Sequence, residues 1–355
     1  MKRNFFTFEN LGGEYPALAK DIRRGTPTAV FGVSDPLKYM IAGAIDAPIV
    51  YVTADASSAR KVADNIGAIS GKKVEIIAAK DEVLLYRKAL SKDSLFRRLN
   101  GIHALQSGCD MVVAELDALL HLFPKKLPVL CLREGEEVDF LSLPAYLTQL
   151  GYTRSFEVES KGVFAVRGDI LDIYPINAEN PVRVDFFGDT VEKIKPYDLV
   201  TGERKKGAQE LTVLAATDVI ANQEDNKTVR EALEEGLLAF KTSDSYTRAK
   251  EIADAILSAE NIDSSFVLPL LENTTDFFSV LPENAVLVFD EGKALWDKFN
   301  ALYKEHEERF HRLQAGGEAF DFTAKQYIPK QSFLDGVLLN RRLALQTFTG
   351  NPFFF

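Results

Sequence analysis

Short apolar runs alternate with segments of helical periodicity over residues 26–120. Four of the runs are typical of buried strands: Thr28–Gly32, Ile49–Thr53, Val74–Ala78 and Met111–Ala114. Three segments between them are long enough for crossover helices: Leu37–Ala44, Ser57–Ser70 and Ser94–Gln106. In the third segment, apolar residues recur at helical spacing, whereas Arg97, Arg98 and Asn100 fall off that stripe. This alternation of strands and helices predicts a parallel α/β sheet.

The pattern changes over residues 129–214. A helix-like stretch, Leu143–Leu150, is followed by short strand-like pieces: Ser155–Val158, Gly162–Arg167, Ile170–Tyr174, Val182–Phe187 and Val191–Lys195. Gly188 and Asp189 form a tight-turn signal between the last two pieces. This part of the chain predicts a small α+β domain with an antiparallel sheet packed on a helix.

Helical periodicity returns after residue 215, in Thr228–Ala239 and Tyr246–Ser258. The apolar run Ala285–Phe289 and a helix from about Lys293 then predict another strand of a parallel sheet. The simplest interpretation is a discontinuous α/β domain, formed by residues 1–128 and 215–355, that is interrupted by an inserted domain over residues 129–214.

Composition narrows the class of protein but not its activity. The 355 residues carry a net charge of −10, and residues 129–214 hold 10 basic and 15 acidic residues. This excess of acidic residues disfavours general electrostatic binding to nucleic acid. Only two cysteines occur, and no uncharged apolar run reaches the roughly 18 residues that a membrane helix needs. The chain is therefore expected to be a soluble cytoplasmic protein without a disulfide framework.

The sequence contains little that could hold a metal or perform nucleophilic catalysis. His306 and His311 are five residues apart, which misses the one-face spacing of a metal-binding helix. Neither Cys109 nor Cys131 has a C-x-x-C partner. We therefore expect no metal site, no catalytic residue and no cofactor.

The stretch from Gly32 to Tyr39, GVSDPLKY, follows a predicted strand and opens a helix, as a phosphate-binding loop does. A working loop reads G-x-x-x-x-G-K-[ST], with a second glycine next to the phosphates and a hydroxyl that holds magnesium. Leu37 takes the place of that glycine and Tyr39 takes the place of the hydroxyl residue, so only Gly32 and Lys38 fit. The pattern predicts a degenerate site that does not hydrolyse ATP.

Asp290 and Glu291 follow the strand at Ala285–Phe289, like the acidic pair that binds magnesium in nucleotide hydrolases. An aspartate at this point also suits a helix N-cap. Without a working phosphate loop, the pair is interpreted as a relic of a nucleotide site.

Strand alternation divides Val182–Phe187 into two faces. Val182, Val184 and Phe186 form a core face, which leaves Arg183, Asp185 and Phe187 on the outer one. Pattern alone favours a solvated salt bridge for the outward arginine and aspartate. A phenylalanine beside an arginine is, however, a combination enriched at protein interfaces.

The segment FAVRGDILDIYP, together with RVDFFGD at residues 183–189, resembles the module shared by the excision-repair protein UvrB and transcription-repair coupling factors. The GVSDPLKY stretch, the interrupted α/β domain and VLVFDE fit the same two families in order. The lost phosphate loop and the short connection Lys80–Asp93, where UvrB carries its DNA-gripping hairpin, favour the coupling factors. Resemblance to a coupling factor implies a P-loop-like fold without ATPase activity.

The resemblance further implies that the inserted domain recruits the UvrA protein by imitating UvrB, with Arg167, Arg183 and Phe187 at the family's binding positions. RNA polymerase and duplex DNA would be bound only by domains beyond Phe355. An alternative is a UvrB-like, DNA-binding helicase fragment with residual nucleotide binding. A third interpretation is an internal scaffold that packs against a missing part of the protein, and this is compatible with the first.

Overall fold

A computed structural model of the chain describes residue 13 and residues 15–71, 73–80, 92–242, 244–258 and 265–354. The connection predicted to replace the UvrB hairpin lies mostly in residues 81–91, outside the described residues. None of the helices in the described ranges is long and apolar enough to cross a membrane.

Helices and short strands alternate through the described ranges. The α-helices are α1 (Tyr15–Arg24), α2 (Asp35–Ala44), α3 (Ala56–Ser70), α4 (Lys92–Gln106), α5 (Leu116–Leu120), α6 (Leu143–Gln149), α7 (Gln223–Phe240), α8 (Tyr246–Leu257), α9 (Gly292–Ala315) and α10 (Lys330–Leu339). The strands are β1 (Thr28–Phe31), β2 (Ile49–Thr53), β3 (Glu75–Ile77), β4 (Met111–Glu115), β5 (Phe123–Pro124), β6 (Val129–Arg133), β7 (Thr153–Arg154), β8 (Val163–Arg167), β9 (Ile170–Tyr174), β10 (Val182–Phe187), β11 (Thr190–Pro196), β12 (Glu210–Leu214), β13 (Thr274–Thr275), β14 (Val286–Asp290) and β15 (Arg341–Gln346). Three short 3₁₀ helices cover Ser265–Leu270, Phe278–Val280 and Asp321–Gln326.

Six parallel strands form the larger sheet, in the order β1-β15-β14-β2-β4-β3. Its central strands are buried on both faces, because α1, α2 and α3 cover one face while α4 and α9 cover the other. Within β2, for example, Tyr51 packs with the first group of helices and Val50 with the second. The predicted parallel α/β sheet is therefore confirmed.

Strands from the two ends of the chain share this sheet. β14 and β15 lie between β1 and β2, so the chain after residue 285 inserts into a sheet whose other strands precede residue 116. The returning chain thereby pairs with both early strands, which a simple sequential domain would not require. The domain boundaries at 128/129 and 214/215 stay a prediction.

A second sheet has five strands, in the order β11-β10-β9-β8-β7. Along the chain, these strands come after β1 to β4 of the larger sheet and before β14 and β15. Strands β8 to β11 form the predicted antiparallel meander, and β6 pairs with β12 in a separate ribbon. The prediction of a strand at Ser155–Val158 is wrong. β7 ends at Arg154, and beyond Ser155 the carbonyl of Phe156 accepts a hydrogen bond from the Arg167 side chain.

The smaller sheet packs directly on α4. The amide of Asn100 donates to the carbonyl of Ile176, and Phe96 lies against Gly162. Gly162 has a φ of +78°, and a Cβ there would lie 2.7 Å from the Phe96 ring, so this close approach requires glycine. A single apolar core continues from the larger sheet through α4 into the smaller sheet.

A largely buried cluster of charges lies where the chain returns after β12. The Lys80 ammonium is 2.6 Å from an Asp218 carboxylate oxygen, and the Arg98 guanidinium is 4.0 Å from the same oxygen. Arg98 also donates to the carbonyls of Ala78, Ala118 and Leu122. Although it falls off the apolar stripe of α4, Arg98 is fully buried, because backbone carbonyls and a carboxylate surround its guanidinium.

Two histidines lie against Tyr327. The His306 ring stacks on Tyr327 with centroids 3.8 Å apart, and the His121 ring meets Tyr327 edge-on. Burial lowers the pKa of His306 to about 4 and also lowers the pKa of His121. Both side chains are therefore neutral in the folded protein at pH 7.

We expect the free energy of unfolding to decrease as the pH falls from about 7 to about 5, because unfolded histidines take up protons near pH ~6.5 while folded His306 does not. A His306→Phe variant keeps a ring on Tyr327 but removes the titrating group, so its stability should depend less on pH over this range. Chemical denaturation of both proteins at several pH values measures the two slopes. Equal slopes would show that His306 contributes nothing to the pH dependence.

Candidate partner-binding face and degenerate nucleotide site

The smaller sheet has a core face and an outer face. Along β10, Val182, Val184 and Phe186 are buried, whereas Arg183, Asp185 and Phe187 are partly or fully exposed. The alternation predicted for this strand is therefore confirmed. We call the side of the sheet that carries Arg167, Asp172, Arg183, Asp185 and Phe187 the outer face.

Arg183 forms a two-pronged ion pair across the sheet. Its Nε and Nη2 atoms each donate to one carboxylate oxygen of Asp172 on β9, both at 2.7 Å. Asp172 is buried, and the Arg183 side chain is only 32% exposed. Asp185 instead pairs with Lys195 on β11 at 3.2 Å. Arg183 is therefore in a salt bridge, but its partner is the buried Asp172 and not Asp185, the outward aspartate of its own strand.

Asp172 is the residue of this face that sequence reasoning missed. Alternation along β9 places it on the same side as Tyr174, and the register pairs Asp172 directly with Arg183. The periodicity of two was visible in the sequence, but the register between β9 and β10 was not.

We expect Arg183→Ala to lower the free energy of unfolding by about 1–3 kcal/mol, because it leaves the buried Asp172 carboxylate without its partner. Adding Asp172→Asn to this variant should recover part of the loss, since a neutral amide is less costly to leave unpaired. Chemical denaturation compares the three proteins. A single variant as stable as the parent would show that the pair contributes nothing to folding.

Phe187 ends β10 opposite Thr190 and is 76% exposed. Arg167 ends β8, and its partner Ile170 on β9 lies opposite Asp185 on β10. β8 and β10 run in the same direction, so Arg167 and Phe187 lie at the same end of the sheet. The structure thus brings Arg167, Arg183 and Phe187 onto one face.

The GVSDPLKY stretch does not form a phosphate-wrapping loop. α2 begins at Asp35, and the amide of Lys38 already donates to the carbonyl of Ser34 at 3.0 Å within the helix. Leu37 and Tyr39 pack in the core between α2 and the sheet, so neither side chain fills the loop. Gly32, with a φ of +74°, provides the turn from β1 into this helix. Of the amides that would cradle a phosphate, those of Val33 and Lys38 are therefore bonded to carbonyls of the protein, and Pro36 has no amide hydrogen.

The predicted relic residues do meet. The buried Lys38 ammonium lies 2.8 Å from Asp290 and 2.5 Å from Glu291. Burial opposes its charge, but the two carboxylates outweigh that effect and raise the pKa of Lys38. Glu291 also accepts hydrogen bonds from the amide and hydroxyl of Thr347, a partner that the sequence pattern did not indicate. The lysine that would contact a nucleotide's phosphates is thus neutralised by the acidic pair.

Residues 130–218 match the family model of the UvrB interaction domain. The transcription-repair-coupling factor of Bacillus subtilis (strain 168) is 24% identical over 336 residues, which cover 89% of this chain and 28% of that protein. The coupling factor of Myxococcus xanthus is 31% identical over 51% of this chain and 16% of its own length. UvrABC system protein B of Agathobacter rectalis is 35% identical over 35% of this chain and 19% of its own length.

The matches therefore span 28% and 16% of the length of these two coupling factors. The matched domain begins one residue into β6 and ends at Asp218, so it contains the whole smaller sheet with its outer face. The resemblance predicted from the RGD-I-L-D-I-Y-P motif is confirmed: residues 130–218 match the UvrB interaction domain, and over most of its length the chain is similar to the transcription-repair-coupling factor of Bacillus subtilis.

Proposed function

We propose that this chain is a non-catalytic module that recruits UvrA through the outer face of its UvrB interaction domain. The observation that carries the proposal is the position of Phe187, which is well exposed on the outer face of that domain, two residues from Asp185 and four from Arg183. Exposed aromatic and arginine side chains dominate the energetics of many protein interfaces.

The geometry of Arg183 suits this role despite its pair with Asp172. The pair uses Nε and Nη2, which leaves Nη1 uncommitted among the described residues. A guanidinium held by a carboxylate on its own sheet is already ordered, so a partner that binds it loses little side-chain entropy. Arg183 is therefore a preorganised donor beside the exposed Phe187 ring.

The coupling of repair to transcription is proposed for the longer protein. The names of the relatives connect repair with transcription, and this chain would contribute the UvrA-recruiting part. RNA polymerase and duplex DNA would be bound by other parts of that protein. The net charge of −10 offers no general attraction to nucleic acid.

The parallel-sheet domain is proposed to be a P-loop-type domain of the kind found in UvrB, formed by residues 1–128 and 215–355, that has lost nucleotide binding. The Lys38–Asp290–Glu291 cluster supports this, because an internal ammonium neutralises the carboxylates that would otherwise hold magnesium. The early start of α2 supports it further, since the amide of Lys38 is already bonded to the carbonyl of Ser34.

We expect millimolar Mg-ATP to leave the melting temperature of the chain unchanged, because a ligand that does not bind cannot stabilise the folded state. No ATP hydrolysis should be measurable above that of a Lys38→Ala control. Thermal melting with and without Mg-ATP, together with a phosphate-release assay, checks both statements. Hydrolysis that Lys38→Ala abolishes would favour the alternative of a working helicase fragment.

Direct binding to UvrA tests the recruitment proposal. The purified chain is immobilised, and UvrA is passed over it at physiological salt without DNA. Saturable binding is expected, together with no measurable binding of the chain to duplex DNA under the same conditions. Tight DNA binding without UvrA binding would overturn the proposal and support a UvrB-like DNA-binding fragment.

A further inference from the structure

A second exposed aromatic residue lies beside the outer face. Phe156 is 93% exposed, in the loop between β7 and β8. The backbone on either side of it is fixed: the amide of Ser155 donates to the carbonyl of Phe164, and Val158 is buried in the domain. The Phe156 ring is thus exposed to solvent on a backbone whose position is fixed on both sides.

Arg167 provides a further anchor for this loop. Its Nη2 atom donates to the carbonyl oxygen of Phe156 at 2.5 Å and lies 3.7 Å from the Glu157 carboxylate. The guanidinium therefore binds the loop of its own domain. A cation that bonds to a backbone carbonyl fixes the position of that carbonyl more firmly than a neutral donor does.

The two exposed phenylalanines lie at the same end of the sheet. β8, which ends at Arg167, and β10, which ends at Phe187, are two strand positions apart, roughly 10 Å across the sheet. Phe187 lies two residues beyond the strand position level with Arg167, roughly 7 Å along the strand. Phe156 and Phe187 are therefore close enough to contact one partner surface of ordinary size, about 800 Å² a side.

We propose that Phe156 is a second aromatic anchor for the partner that Phe187 binds, and that Arg167 is a positioning residue that holds Phe156 in place for it. The inference rests on the proposed function, because UvrA is taken as that partner. An aromatic ring on an immobilised loop loses little conformational entropy on binding, which is the property of an efficient anchor. Arg167 then acts through Phe156 and need not contact UvrA itself.

A double-mutant cycle tests the inference. Affinity for UvrA is measured by calorimetry for the parent, Phe156→Ala, Arg167→Ala and the double variant. Val200→Ala is the matched control, since Val200 is also 93% exposed in this domain but lies beyond Pro196, at the opposite end of β11. Phe187→Ala is measured alongside as the reference for the proposed function.

Each single variant of Phe156 and Arg167 is expected to weaken binding about tenfold or more, with no effect of Val200→Ala. The double variant is expected to bind within about twofold of Phe156→Ala, because Arg167 has nothing left to position. Normal binding by Phe156→Ala while Phe187→Ala binds poorly would overturn this inference alone. Additive losses would assign Arg167 a direct contact and overturn its positioning role. Normal binding by Phe187→Ala would instead contradict the proposed function.

Discussion

Replacing Asp218 with asparagine is expected to lower the free energy of unfolding by about 3–5 kcal/mol, because it removes the carboxylate that lies beside Lys80 and Arg98 in the buried cluster. Burial raises the energy of the Asp218 charge, but Lys80 and Arg98 outweigh it and lower the pKa of Asp218. Burial lowers the pKa of Lys80. Without the carboxylate, two cations would remain in a site closed to water.

Chemical denaturation at pH 7 measures this loss. Asp254→Asn is the matched control, since Asp254 is exposed on α8 and its replacement should change the stability by less than about 0.5 kcal/mol. The cluster joins two residues that precede the five-stranded sheet to a residue that follows it. A loss below about 1 kcal/mol would show that the cluster does not stabilise the junction where the chain returns.

Phe187→Ala is expected to weaken UvrA binding by about 2–4 kcal/mol, or roughly 30- to 1,000-fold, and to leave the melting temperature unchanged. The stability should be retained because the ring is 76% exposed and contributes little to the core. Binding should be lost because an exposed aromatic ring gains most of its contact area only when a partner covers it. Calorimetric titration of UvrA and a thermal melt of the same sample measure both quantities.

Phe348→Ala provides the matched control for this prediction. Phe348 is 79% exposed, but it follows β15 in the parallel sheet, away from the UvrB interaction domain. Its replacement should leave UvrA binding within about twofold of the parent. Equal losses of UvrA affinity in the two variants would indicate nonspecific adhesion of apolar rings. Loss of folding in Phe187→Ala would show that Phe187 belongs to the core.

Local periodicity predicted much of the fold and one part of the candidate site. The alternation of Val182–Phe187 placed Arg183 and Phe187 together, because side chains on a strand alternate with a period of two whatever the surroundings. The residue spacing of GVSDPLKY and VLVFDE likewise indicated a relic nucleotide site, and Lys38 does meet Asp290 and Glu291.

Tertiary partners account for what the sequence could not predict. The pairing of Arg183 with Asp172 depends on strand register, which no local pattern encodes. The burial of Arg98 depends on Asp218, 120 positions away, so helical periodicity alone gave no sign of it. The strand ends before Phe156, and the carbonyl of Phe156 accepts a hydrogen bond from the Arg167 side chain, a contact between distant residues that no local pattern encodes.

Competition with UvrB tests whether this chain occupies the site on UvrA that UvrB uses. Labelled chain is bound to UvrA, and unlabelled UvrB is added while the bound fraction is followed by fluorescence anisotropy. UvrB is predicted to displace the chain completely, whereas UvrB that lacks its own interaction domain should not. A stable complex of UvrA, UvrB and the chain that persists at saturating UvrB, with none of the chain displaced, would show that the chain and UvrB use different sites on UvrA.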